Sequence, residues 1–73
     1  MKNKNKIKIR VNGKKYSIYQ NMKVSNLIEK LDIPLNKVAI ELNEKIIDKK
    51  KLKTITLHNK DSIEIVHFIG GGL

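Results

Sequence analysis

Cysteine is absent from this chain of 73 residues, which removes disulfides, thiolate metal ligands and a cysteine nucleophile at once. Tryptophan is missing too, and the aromatic set is Tyr16, Tyr19 and Phe68 alone, too few for the row of rings on which single-stranded nucleic acid stacks. No stretch approaches the roughly 20 apolar residues that span a bilayer. The opening "MKNKNK" is followed by no apolar run that would form the core of a signal peptide, so the expectation is a cytoplasmic protein without membrane attachment. Acidic residues are also scarce, with 7 Asp and Glu against 16 Lys and Arg.

What remains is enough for one small domain. Hydrophobic residues make up 40% of the chain, a globular proportion rather than a disordered one, at a length close to the lower limit for a core that holds a fold by packing alone. The net charge of +9 has two readings at this point. Lys and Arg neutralise phosphates and supply most non-specific nucleic-acid affinity. Equally, 15 Lys, 8 Asn and 12 Ile account for 35 of the 73 residues, the bias that AT-rich coding imposes on any protein.

The clearest local signal is "KIKIRVNGKKYSIY". Asn12-Gly13 suits a two-residue type I′ turn, in which both central residues take positive φ. That turn pairs Val11 with Lys14, Ile9 with Tyr16 and Ile7 with Ile18, which gathers the apolar residues on one face and leaves Lys6, Lys8, Arg10, Lys15, Ser17 and Tyr19 on the other. Next, "MKVSNLIEKLDIP" sets Val24, Leu27, Ile28 and Leu31 at i, i+3, i+4 and i+7, one helical stripe over about residues 23–32. Pro34 ends it, and no good N-cap residue starts it. "KVAIEL" reads as a strand with Val38, Ile40 and Leu42 on one side, and Asn43-Glu44 turns it into a short strand at Lys45 to Ile47. The lysine-rich "DKKKLKTITL" is irregular, with Leu52, Ile55 and Leu57 as core pins, and "SIEIVHFI" after the "HNKD" turn is the last strand.

A hairpin, a crossover helix and a return strand parallel to the first follow from right-handed crossover geometry. This is an α+β arrangement of the β-grasp (ubiquitin-like) type, a mixed sheet of four to five strands with one main helix on one face and the final strand in the middle. Ile63 and Ile65 should face the helix, and alternation sends Val66 and Phe68 to the opposite side. Two apolar side chains there mark either a partner surface or a strand buried on both faces.

No catalytic constellation is visible. His58 falls in a turn and His67 on the last strand, neither in a metal-ligand motif, and Ser17, Ser25 and Ser62 have no nucleophile-elbow context. The last strand runs into Gly70, Gly71 and Gly72 and then Leu73, which divides the chain into a β-grasp domain at 1–69 and a flexible glycine tail at 70–73. Three glycines order at high entropic cost, so the segment is either slack or a working part. As a working part it threads side-chain-free into another protein's narrow site, where adenylation turns an inert carboxylate into an acyl group open to a sulfur or nitrogen nucleophile. The chain is then a carrier, not an enzyme.

"IKIRVNGKKY", "VSNLIEKL", "VAIELNEKII" and, above all, "DSIEIVHFIGGG" resemble the ThiS family of sulfur carriers over essentially the whole chain. The last stretch is the most specific, with an acidic turn, an alternating strand, "VHF" and glycines in that order. The resemblance implies a β-grasp fold in which Gly72 is adenylated and converted to a thiocarboxylate by an E1-like, ThiF-type adenylyltransferase using ATP and Mg²⁺, no cofactor being bound by the carrier itself. It further implies sulfur drawn from cysteine through a cysteine desulfurase, and delivery to a ThiG-type thiazole synthase for the thiazole ring of thiamine. Gly70 to Gly72 would lie inside the partner and Val66 and Phe68 against it, with the free carrier a monomer. The lack of cysteine agrees with a carrier whose sulfur rides on its terminal acyl group. Leu73 departs from the family pattern. It is either the remnant of a tag or a residue that must be trimmed before Gly72 can react. A carrier for molybdopterin, tRNA thiolation or another sulfur metabolite fits the same tail, and a basic nucleic-acid-binding module remains as a different class.

Overall fold

The computed structural model describes residues 5–68. Over them the chain runs β1 (Lys6–Val11), β2 (Lys14–Tyr19), α1 (Val24–Lys30), a 3₁₀ turn (Leu35–Lys37), β3 (Val38–Leu42), β4 (Lys45–Ile46), a second 3₁₀ turn (Lys49–Lys51) and β5 (Ser62–His67). The strands form one sheet in the order β2-β1-β5-β3-β4. β5 lies parallel to β1 and antiparallel to β3, which places the last strand in the centre, as the sequence predicts.

The first hairpin has the register that its alternation and turn both require: Ile7 faces Ile18, Ile9 faces Tyr16 and Val11 faces Lys14. Asn12 and Gly13 have φ of 51° and 83°, the left-handed values of a type I′ turn, which suits the twist of the flanking strands. Asn43 and Glu44, at 51° and 72°, repeat the device between β3 and β4. Glutamate bears the second left-handed position there without glycine's freedom.

α1 is shorter than the predicted 23–32, and both ends have specific causes. No Ser, Thr or Asp caps its start. Instead the Asn26 side chain accepts from the Lys23 N–H, and the irregular segment after β4 supplies backbone acceptors: Val24 N–H donates to the Ile55 carbonyl and Ser25 N–H to the Leu52 carbonyl. These three bonds satisfy donors that a helix N-terminus otherwise leaves open. At the other end Asp32 takes φ 57°, its N–H donates to the Glu29 carbonyl, and the Ile33 N–H donates to the Ile28 carbonyl. This is a Schellman stop with Asp where glycine is usual, and it ends the helix at Lys30, short of Pro34.

The core lies between α1 and one face of the sheet. Val24, Leu27 and Ile28 from the helix meet Ile9, Ile18, Val38, Ile40 and Ile63 from the strands, and Leu52 and Leu57 close the side, all buried. Leu31 and Ile55 pack against this cluster half-buried. Tyr16, on the core face of the outermost strand β2, is 37% exposed, because an edge strand has no neighbour to cover its far flank. No buried side-chain nitrogen or oxygen lacks a partner among the described residues.

Candidate functional site

Beyond the hairpin turn β1 has ended, and β5 continues with only β3 beside it. Asn12 bridges the change. Its side-chain oxygen accepts from the Ile65 N–H at 2.7 Å, so the strand keeps an acceptor where its β1 neighbour stops. Ile63 and Ile65 point into the core at 0% and 7% exposure, while Val66 is 46% and Phe68 44% exposed. Both sequence-derived contact residues therefore lie on the surface, and the alternative of a strand buried on both faces is ruled out. The register sets Val66 opposite Ala39 and Glu41 opposite Ile46, which brings Ile46, 75% exposed, onto the same open face.

Phe68 follows β5 and is still held. Its N–H donates to the Lys37 carbonyl at 2.9 Å, and the Lys49 ammonium sits over its ring, 5.6 Å from the centroid, in the range of a cation–π contact. The same ammonium donates to the Leu35 carbonyl, which ties the ring to the 3₁₀ turn before β3. Sequence reading missed Lys49 and the second role of Asn12, since both depend on contacts between segments far apart in the chain. Ile69, Gly70, Gly71, Gly72 and Leu73 lie outside the described residues, as does the division between domain and tail.

The histidines do not form a site. The His58 N–H donates to the Asp61 carboxylate within the turn before β5, and His67 stands exposed opposite Val38. Among the described residues no group of three His, Asp or Glu is placed to hold a metal ion, and no helix is long and apolar enough to cross a membrane. The chemical resource of this end of the molecule is thus a firmly hydrogen-bonded central strand with apolar side chains facing outward where it stops.

Three comparisons place this arrangement. The model of the ThiS family matches residues 9–72. Sulfur carrier protein ThiS of Bacillus subtilis is 37% identical over 49 residues, covering 67% of this chain and 74% of that protein. A thiazole synthase of Paramagnetospirillum magneticum is 35% identical over 66 residues, 90% of this chain, although the chain spans only 20% of that protein's length. The crystal structure of thiamine biosynthesis protein ThiS from Geobacter metallireducens superimposes with a TM-score of 0.80 at 26% identity, covering 90% of this chain and 100% of that one. With its five-stranded β-grasp sheet, α1 packed on one face and a matched stretch that runs through the glycines, the chain belongs to the ThiS family of sulfur carrier proteins.

Proposed function

We propose that the chain carries sulfur as a C-terminal thiocarboxylate on Gly72 and delivers it for the thiazole ring of thiamine. The observation that carries this reading is the exit of the central strand. β5 pairs with β1 at its start and with β3 to its end, presents Val66 and Phe68 outward, and is followed after Ile69 by three glycines, so a partner can grip a rigid base while the terminal segment enters its active site. In the reaction, a Gly72 carboxylate oxygen attacks the α-phosphorus of ATP and pyrophosphate leaves. A persulfide sulfur, derived from cysteine by a desulfurase, then attacks the acyl carbon and AMP leaves, and a thiol cleaves the resulting S–S bond to free the thiocarboxylate. An E1-like, ThiF-type adenylyltransferase would supply the nucleotide site and Mg²⁺, and this chain would supply the acyl group.

Thiazole synthase is the favoured recipient because a stretch resembling this chain occurs within a protein of that name. Leu73 has to be absent for Gly72 to react, and the family match ending at residue 72 is consistent with Gly72 as the working end. The test is intact-mass spectrometry of two forms, one ending at Gly72 and one at Leu73, after incubation with the cognate adenylyltransferase, ATP, Mg²⁺ and a sulfur source. The form ending at Gly72 is expected to gain the mass difference between sulfur and oxygen, and the other to stay unchanged. An unchanged mass in both would sink the proposal.

A further inference from the structure

The open face of the sheet is divided by charge. At one end Lys8, Arg10, Lys15 and Lys60 surround a depression of about 370 Å³ whose lining includes no carboxylate. Arg10 stands directly opposite Lys15, a pairing that sets side-chain Cβ atoms about 4.5–5.5 Å apart and is destabilising for like charges. Across the sheet centre, Glu41 stands directly opposite Glu64, a second like pair of the other sign. The apolar pair Val66 and Phe68 follows, with the Lys49 ammonium over the Phe68 ring. Two mutually repelling pairs on one face, each next to a region of different character, are tolerated at a cost to the free chain that an occupant of matching pattern would relieve.

We infer that this face docks a protein surface bearing, in order, an acidic patch against Lys8, Arg10, Lys15 and Lys60, a basic side chain between Glu41 and Glu64, and an apolar patch against Val66 and Phe68. The inference rests on the carrier function proposed above and gives the chemistry of the enzyme surface that receives the tail. A nucleic acid fits less well for two reasons. A uniform polyanion laid along the face meets the Glu41–Glu64 pair, and the face's one tyrosine, Tyr19, already has the Lys6 ammonium over its ring at 5.0 Å. The basic end lies roughly four strand residues from Val66, about 13 Å at the usual rise per residue, well within the span of one ordinary protein interface. Exposed charges at that distance act mainly on the rate of encounter.

The experiment measures association and dissociation rates of the chain with its cognate adenylyltransferase at about 50 and 300 mM salt, steering being the salt-sensitive part. Wild type, Arg10→Glu/Lys15→Glu and Glu41→Lys/Glu64→Lys are compared, with thermal melts confirming that each folds. The association rate of wild type is expected to fall roughly tenfold with salt, and that of either double variant to drop roughly tenfold at low salt, dissociation changing less. Equal association rates in all three chains overturn the inference, even if thiocarboxylate still forms. Patterned binding without any thiocarboxylate sinks the carrier function and leaves the docking surface standing, whereas no complex at all sinks both. Retention of a single-stranded RNA at physiological salt, lost in Arg10→Glu/Lys15→Glu, overturns the inference in favour of a polyanion.

Discussion

The two faces of the sheet are built from alternate residues of the same strands and have opposite characters. On β5, Ile63 and Ile65 are buried, and the intervening Glu64 and the following Val66 are exposed. The buried side chains of the covered face are all aliphatic and uncharged, while the open face carries lysines, a carboxylate pair and bare apolar groups. A one-residue slip would exchange them, since the side-chain period of a strand is two. Stability and the proposed recognition therefore draw on alternate positions of the same segment, and the two can be perturbed separately.

The largest effect should come from the covered face. Ile63→Ala removes a fully buried side chain from beneath α1 and is expected to cost about 2–4 kcal/mol, read from the midpoint of urea denaturation. Its folded fraction should bind partner normally. Phe68→Asp reverses the pattern: melting stays cooperative, while affinity for the adenylyltransferase falls roughly tenfold or more, about 1.4 kcal/mol. Unchanged affinity in a binding titration would remove Phe68 from the interface and dissolve the contrast between the faces.

Asn12 belongs to both regions, so its substitution sharpens the boundary. Asn12→Ala loses a residue tolerant of positive φ and the acceptor of the Ile65 N–H, and a loss of about 1–2 kcal/mol is expected. Asn12→Gly keeps the turn and loses only the acceptor, so its melt against wild type isolates the hydrogen bond, and the further loss in Asn12→Ala isolates the cost of positive φ. The smallest change is on the open face, and it has the opposite sign. Glu41→Gln relieves the repulsion with Glu64 and should stabilise the free chain by about 0.2–1 kcal/mol, seen as a slight rise in melting temperature, while slowing partner association.

The first hairpin was legible because two independent signals, alternation and Asn12-Gly13, demand one register. The helical stripe at Val24, Leu27 and Ile28 was legible from its spacing alone, and its ends were not. The outward placement of Val66 and Phe68 follows from burial of Ile63 and Ile65, because a strand has only two faces. Hidden features were those fixed by distant segments. That Leu52 and Ile55 would cap α1 depends on how the lysine-rich segment folds back. Asp32 in a Schellman stop and Glu44 at a left-handed position have no glycine to announce them. Lys49 over Phe68 joins residues 19 positions apart, and nothing local distinguishes Lys49 from the lysines beside it.

The hydrogen bond from Phe68 to Lys37 is the last before the glycines among the described residues, and it sets a length. From there to Gly72 the chain has four residues, which fully extended reach about 14 Å. An enzyme that grips Phe68 at its surface must hold its reactive phosphorus no deeper than that, and a cavity much shallower would leave slack for the terminal carboxylate to miss. On the carrier function proposed above, the depth of the partner's channel is measured out on this chain, and adding or deleting one glycine should detune the pair by a single residue's span.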